Sequence, residues 1–232
     1  MPTDTKDRIL EVAARLFAEQ GYHATGVSKI LRAGGVKSGS LYHFFSSKED
    51  LLVAVMQHHV DLLRSRVLDR AVAESLTDDP LDYIFSLFGI YRRSLLVSGT
   101  ALGCPVGRLA LEVGSTLPRV RTLIEKYFAT WVAQVLTWLD EAGSRLPAAL
   151  DREALAHQVL AVVQGGIVQA RAAESVDPYD TCVAQLRATF ELLVARSRYE
   201  QDESQGALKG QPVPVERTAG TESGDQFEWR AW

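Results

Sequence analysis

Residues 21–52 read GYHATGVSKILRAGGVKSGSLYHFFSSKEDLL, and this stretch decides how the N-terminal part of the chain folds. Apolar residues at helical spacing predict two short helices, over residues 25–33 and 37–44. The glycine pair Gly34-Gly35 lies between them and predicts a tight turn. Two short helices joined in this way are typical of a helix-turn-helix.

Longer helices are predicted on both sides of this pair. One covers residues 5–20 and ends at Gly21, because glycine is the usual residue just past a helix C-terminus. The other begins after Ser47, which lies three residues before Asp50, as in a capping box with Asp in the place of Glu or Gln. We expect this helix to run to about Ala73.

The charge of the short-helix region predicts a nucleic-acid partner. Between residues 21 and 47 there is no Asp or Glu, whereas Lys29, Arg32 and Lys37 are present and Lys48 follows. The whole chain has a net charge of −4, which excludes a protein coated with basic residues. A local basic surface without acids is where phosphates dock. The alternative is a solvated cationic surface with no partner.

The second short helix has the composition of a recognition helix. It begins with the small residues Ser38 and Gly39, which allow a close approach to base edges in the major groove. Tyr42 and His43 are expected to face the DNA backbone. Thr25 is expected to cap the first short helix and to place its hydroxyl near the same strand. The buried side is predicted to comprise Leu41, Phe44 and Phe45.

These residues resemble the tetracycline-repressor (TetR) family. The resemblance covers about residues 5–55 without gaps and is carried by residues 21–30, 33–36 and 39–52. It implies a homodimeric transcriptional regulator, nearly always a repressor that a small ligand releases from operator DNA. The departures from the family pattern are Gly26, Leu31 and the order Lys37-Ser38. Matched position by position, the resemblance implies DNA contacts by Thr25, Lys37, Ser38, Gly39, Tyr42, His43 and Lys48.

Helical spacing continues to about residue 200, so the predicted fold class is all-α, with about nine helices. Residues 1–47 are expected to form the helix-turn-helix DNA-binding domain, and residues 48–200 a larger helical domain for ligand binding and dimerisation. Residues 201–232 are rich in Gly, Pro, Gln and Glu and predict a disordered tail. The alternative for this tail is an aromatic-ended segment that docks on a partner.

The second half of the chain resembles the LmrA- and YxaF-like repressors of the same family. The stretch GCPVGRLALE at residues 103–112 carries this resemblance, with Phe128, Trp131 and residues 165–172. Aromatic residues with a few polar anchors predict an apolar pocket between helices, although plain core packing is the alternative for each of them. We expect an apolar or aromatic effector held by Phe88, Tyr91, Cys104, Leu109, Phe128, Trp131 and Gln164.

Cys104 leaves three kinds of regulator open. A small buried hydrophobe is the plain interpretation of this residue. A redox or electrophile sensor would need a thiolate with a lowered pKa, to which Arg108, one helical turn on, would contribute. A DNA-binding regulator that takes no ligand is the remaining alternative.

Residues 151–175 and 178–199 are predicted to be two helices that form the dimer interface. Two such helices from each chain would make a four-helix bundle, which the family resemblance also implies. The alternative is ordinary packing within one chain.

Several classes of protein are not expected. The sequence has no phosphate-binding glycine loop, nucleophile elbow or metal-spaced ligand set, so we expect no enzyme, cofactor or metal site. No stretch approaches the length of a transmembrane helix, and the N-terminus lacks a secretory signal. Cys104 and Cys182 lie 78 residues apart, which suits a reducing compartment. These features predict a cytoplasmic protein without a membrane partner.

Overall fold

The computed structural model describes residues 5–97 and 103–204, which contain no β-strand. A π-helical turn over Arg64–Leu68 joins the helices on either side of it into one continuous helix. Counted in this way, these ranges hold nine separate helices, and the all-α prediction is confirmed. The predicted tail lies outside the described residues, apart from its first four. The α-helical segments are α1 (Thr5–Gln20), α2 (Val27–Gly34), α3 (Ser38–Phe44), α4 (Lys48–Leu63), α5 (Asp69–Ala73), α6 (Pro80–Val97), α7 (Pro105–Val113), α8 (Pro118–Glu141), α9 (Arg152–Ala173) and α10 (Asp177–Ser204).

The helix ends follow the predicted capping residues. Gly21 has φ +87°, a left-handed conformation that glycine adopts without strain, and α1 ends just before it. The Ser47 hydroxyl accepts a hydrogen bond from the Asp50 N–H at 3.0 Å and caps α4. In the same way, the Asp151 carboxylate accepts from the Ala154 N–H at 2.9 Å at the start of α9.

The prediction that Thr25 caps α2 is wrong. Gly26, not Thr25, is the N-cap residue of α2, and the Thr25 side chain is fully buried. Its hydroxyl donates to the carbonyl oxygens of Gly21 at 2.6 Å and Leu16 at 3.2 Å. Thr25 therefore fastens the turn after α1 to that helix, and its hydroxyl does not face outward.

The N-terminal helices share a core with the start of α4. Ile9, Phe17, Ile30 and Leu41 are buried where α1, α2 and α3 meet. The prediction that Phe44 belongs to this core is wrong, since its side chain is 37% exposed. The neighbouring Leu41 and Phe45 fill the buried side of α3 instead.

The body is built around α8. This helix buries the largest share of apolar side chains and packs against α4, α6, α7 and α9. The α9 helix packs in turn against α10. None of the helices in the two described ranges is long and apolar enough to cross a membrane. The buried residues of α8 are Val120, Ile124, Tyr127, Trp131, Val132, Val135, Trp138 and Leu139.

The junction between α1 and α4 contains a half-buried histidine. His59 lies beside the π-helical turn, in a small cleft that Glu11, His58 and Arg66 also line. Burial, with smaller contributions from the charges of His58 and Arg66, lowers the pKa of His59 to about 4. His59 is therefore neutral in the folded protein near pH 7.

We predict that His59→Leu makes the protein less sensitive to mild acid. Because the pKa of His59 is lower in the folded state than in the unfolded state, the unfolded chain binds more protons between pH 6.5 and pH 4. The wild type should therefore lose on the order of 1–3 kcal/mol more stability than the variant between pH 7 and pH 4. Urea unfolding at several pH values measures this difference. His157→Gln, at an exposed position on α9, is the matched control and should keep the wild-type dependence; equal pH dependence of wild type and His59→Leu would refute the assignment.

Candidate nucleic-acid interface and effector groove

The helix-turn-helix presents one exposed basic face. The turn between its helices is made by Gly35, which has φ +60° and caps the C-terminus of α2. Gly26 has no side chain to cap α2, so no side-chain acceptor meets the first N–H groups of that helix. We call the exposed residues of α2, the turn and α3 the basic face: Lys29, Arg32, Lys37, Ser38, Gly39, Tyr42 and His43.

Five of the seven predicted DNA contacts lie on this basic face, namely Lys37, Ser38, Gly39, Tyr42 and His43. Lys48 lies at its edge, half-buried, with its ammonium 4.1 Å from the centre of the Tyr22 ring. Burial lowers the pKa of Lys48, and the nearby carboxylate of Glu112 opposes this effect. Lys48 therefore links the basic face to the body of the protein.

Gly39 is not required by packing within the chain. A Cβ at this position would meet no described atom within 4 Å, and its φ is not in the left-handed region. The space beside it opens outward from α3. An incoming DNA strand would occupy that space, as a recognition helix requires.

We predict that Gly39→Ala separates stability from DNA binding. Alanine favours the helix over glycine by about 0.8–1 kcal/mol, so the variant should be slightly more stable than the wild type. Its affinity for operator DNA should fall, because the added methyl group would take up the open space through which a recognition helix approaches base edges. Thermal melting and fluorescence anisotropy measure the two properties. A variant that is more stable and binds DNA as tightly as the wild type would place Gly39 away from the interface.

A groove of about 720 Å³ lies between α7, α8 and α9. Of the predicted effector residues, Cys104, Phe128 and Gln164 line it. Phe88, Leu109 and Trp131 are buried in the core and Tyr91 is half-buried, and none of these four lines the groove. The lining residues are Gly103, Cys104, Gly107, Arg108, Ala110, Leu111, Phe128, Gln164, Gly165, Ile167, Val168, Gln169 and Arg171.

Polar atoms without partners lie in and behind the groove. Gln164 Nε2, Tyr91 Oη and Trp131 Nε1 are buried, and none makes a hydrogen bond of standard geometry to a described residue, although Gln164 lies near the Cys104 thiol and Tyr91 near Trp131. The Gln164 Oε1 atom approaches α7 so closely that a Cβ on Gly107 would be 2.5 Å from it. Glycine at position 107 therefore lets α7 and Gln164 come together. A bound molecule with an acceptor would satisfy the Gln164 donor.

The geometry of Cys104 argues against a thiolate sensor. Its sulfur caps α7 by accepting the Gly107 N–H at 3.3 Å, and the side chain is buried. Burial raises the pKa of the Cys104 thiol, although the Gly107 N–H opposes the effect. Arg108, expected to lower this pKa, is hydrogen-bonded to α1 instead. Burial of the sulfur and the contacts of Arg108 with α1 therefore do not favour a thiolate at Cys104.

Two residues of α7 form hydrogen bonds to the end of α1 and to the turn that leads into the helix-turn-helix. Arg108 Nη1 donates to the carbonyl oxygens of Ala18 at 3.3 Å and Glu19 at 3.0 Å. The Glu112 carboxylate accepts from the backbone N–H groups of Tyr22 at 2.9 Å and His23 at 2.6 Å. We call Arg108 and Glu112, with these four bonds, the α7 clamp.

The clamp matches the electrostatics of α1. No basic residue lies in the last turn of α1, so Arg108 supplies the positive charge that stabilises a helix C-terminus. Gly21 is required for a second reason besides its positive φ, because a Cβ there would lie 2.5 Å from Glu112 Oε2. Neither clamp residue is predicted from the sequence to have this role. Their four-residue spacing places them on one face of α7 and is the only local signal.

A helix-turn-helix with an exposed basic face, on a larger helical body, defines a DNA-binding protein of the helix-turn-helix class. Residues 9–55 match the family described as bacterial regulatory proteins, tetR family. Residues 80–185 match the C-terminal domain of LmrA/YxaF-like transcriptional regulators.

Similar proteins agree with both matches. The chain is 30% identical over 168 residues to the uncharacterized HTH-type transcriptional regulator YxaF of Bacillus subtilis, covering 71% of this chain and 84% of YxaF. It is 27% identical to the regulator LmrA of the same organism, covering 79% and 96%. A crystal structure of a regulatory protein TetR from Rhodobacter sphaeroides superposes with a TM-score of 0.71 at 26% identity, covering 77% and 95%. The chain belongs to the TetR family of transcriptional regulators, with a C-terminal domain of the LmrA/YxaF-like type.

Proposed function

We propose that this regulator is a cytoplasmic homodimeric repressor, which leaves its operator when an apolar or aromatic effector fills the groove between α7 and α9. One observation carries the proposal: α7 forms a wall of the groove and also holds α1 and the following turn through the clamp. A molecule that moves α7 therefore moves the DNA-binding helices.

The basic face supports the operator contacts of this proposal. Lys37 and Ser38 stand at the start of α3, and Tyr42 and His43 are exposed on it. In a dimer the two copies of α3 would enter successive major grooves, about 34–36 Å apart. Arg32, exposed on α2, adds a cation for the phosphate backbone.

The free sides of α9 and α10 support the dimer. Val168 of α9 is 57% exposed, and Leu192 of α10 is 72% exposed. Exposed alanines accompany them on the same two helices, at positions 161, 184 and 195. Such an apolar, small-residue surface suits close packing against the same two helices of a second copy. A monomeric mass at micromolar concentration would reject the dimer.

The groove supports an effector rather than a regulator without a ligand. Its volume lies within the usual range of ligand pockets, and its lining is mostly apolar with a few polar groups. The effector must bind the DNA-free conformation more tightly than the DNA-bound one, since only differential affinity shifts the equilibrium.

Binding-site selection from random DNA tests the function, followed by affinity measurements over a range of salt concentrations. We expect enrichment of a two-fold symmetric site. In Lys37→Gln, the slope of log affinity against log salt should become shallower by about 0.9 for each phosphate that the variant no longer neutralises. The matched control is Lys126→Gln, at an exposed position on α8, which should keep the wild-type slope.

Two results would count against these assignments. Selection that enriches no sequence would overturn the operator-binding function. An unchanged slope in Lys37→Gln would remove Lys37 from the interface and leave the function in place.

A further inference from the structure

We propose that the effector is an amphipathic anion whose negative group draws Arg108 away from α1. This inference rests on the proposed function and adds two points to it, the chemical class of the ligand and the bond that the ligand breaks. The apolar part of the molecule would lie along the groove, and its carboxylate would lie between Arg108 and Arg171.

The charges of the groove lining favour an anion. Arg108 and Arg171 are both among the lining residues, whereas no Asp or Glu is. The other lining residues are apolar, glycine, or the amides Gln164 and Gln169. A cation in this groove would meet two positive charges with no counter-ion, and a neutral molecule would leave both guanidinium groups without an ionic partner.

Unused hydrogen-bond donors point to the same class. Gln164 Nε2 is buried without a partner in the described residues. Arg171 is exposed, and its side chain makes no hydrogen bond or ion pair to the described part of the chain. A carboxylate carries acceptors only, and both residues offer donors to it. The groove thus combines unused hydrogen-bond donors with an apolar surface.

Arg108 connects this chemistry to the DNA-binding helices. Its Nη1 atom bonds two neutral carbonyl oxygens at the end of α1, Ala18 O and Glu19 O, although the residue also lines the groove. A carboxylate accepts two parallel bonds from a guanidinium and forms stronger ones than a neutral carbonyl does. An anion in the groove therefore competes with α1 for Arg108. When the anion wins, α1 loses the cation at its C-terminus.

Three probes that share one apolar body and differ only in their polar group separate the effect of charge from the effect of shape. They are phenylbutanoate, phenylbutanamide and phenylbutylamine. Isothermal titration of the full-length dimer gives the affinity for each. We expect the carboxylate to bind about tenfold more tightly than the amide, since one extra charge-assisted bond is worth roughly 1.4 kcal/mol. The amine should bind more weakly than the amide. Phenylbutanoate should also weaken operator binding.

Three variants show which residues cause the preference for the carboxylate over the amide. In Arg108→Gln, most of the tenfold difference between carboxylate and amide affinity should be lost, and this ratio does not depend on any change in operator binding. Arg171→Gln, which leaves the α1 contacts in place, should reduce the ratio in part. Arg121→Gln, at an exposed position on α8 outside the groove, should keep the wild-type ratio. Thermal melting of each variant verifies that it is folded.

The outcomes distinguish this inference from the function it rests on. Equal binding of carboxylate and amide to the wild type, or tighter binding of the amine, would overturn the anion preference and leave the apolar effector of the proposed function in place. A carboxylate preference that survives in Arg108→Gln would overturn the role of Arg108. If no probe and no other apolar compound binds the dimer, both the inference and the effector-dependent function fail.

Discussion

The structure depends on the bonds that one short helix makes to a distant part of the chain. Through Arg108 and Glu112, α7 reaches residues 18–23, about 90 positions earlier in the sequence. The partners are the last carbonyl groups of α1 and the first free N–H groups after it, so one helix satisfies both kinds of backbone group. Because each of these four bonds has a charged side chain as one partner, they are stronger than neutral hydrogen bonds and hold α1 beside α7.

The clamp brings a carboxylate of the acidic body into contact with the basic helix-turn-helix. The helix-turn-helix is locally basic, and the one carboxylate that contacts its backbone in the described ranges, Glu112, comes from the body. Glu112 also opposes the pKa decrease that burial causes in Lys48. Tyr22 lies between the two, since its N–H bonds Glu112 and its ring lies under Lys48. The edge of the basic face is therefore positioned by the same helix that lines the groove.

Local sequence signals predict most of the fold. The bounds of α1, the stop at Gly21 and the cap at Ser47 depend on residues within a few positions, and all three are confirmed. Thr25 has the side chain of an N-cap residue, but tertiary packing buries it and gives its hydroxyl two carbonyl partners. Apolarity alone assigns Phe44 to the core, although the adjacent Phe45 occupies that position.

The candidate sites are predictable to different degrees. The basic face is continuous in sequence, so its residues can be named in advance. The groove joins α7, α8 and α9, and only three of its seven predicted residues line it, because apolarity does not distinguish a groove wall from the core behind it. The clamp cannot be predicted without knowing that α7 lies beside the end of α1, and no local sequence pattern indicates this contact.

The measurement that tests the role of the clamp most directly is the effect of phenylbutanoate on operator affinity in Glu112→Ala. Glu112 does not line the groove, so the variant should bind the probe as the wild type does. If α7 communicates through the clamp, the probe should change operator affinity much less in the variant than in the wild type. An equal change in both proteins would contradict this role and move the connection to another helix.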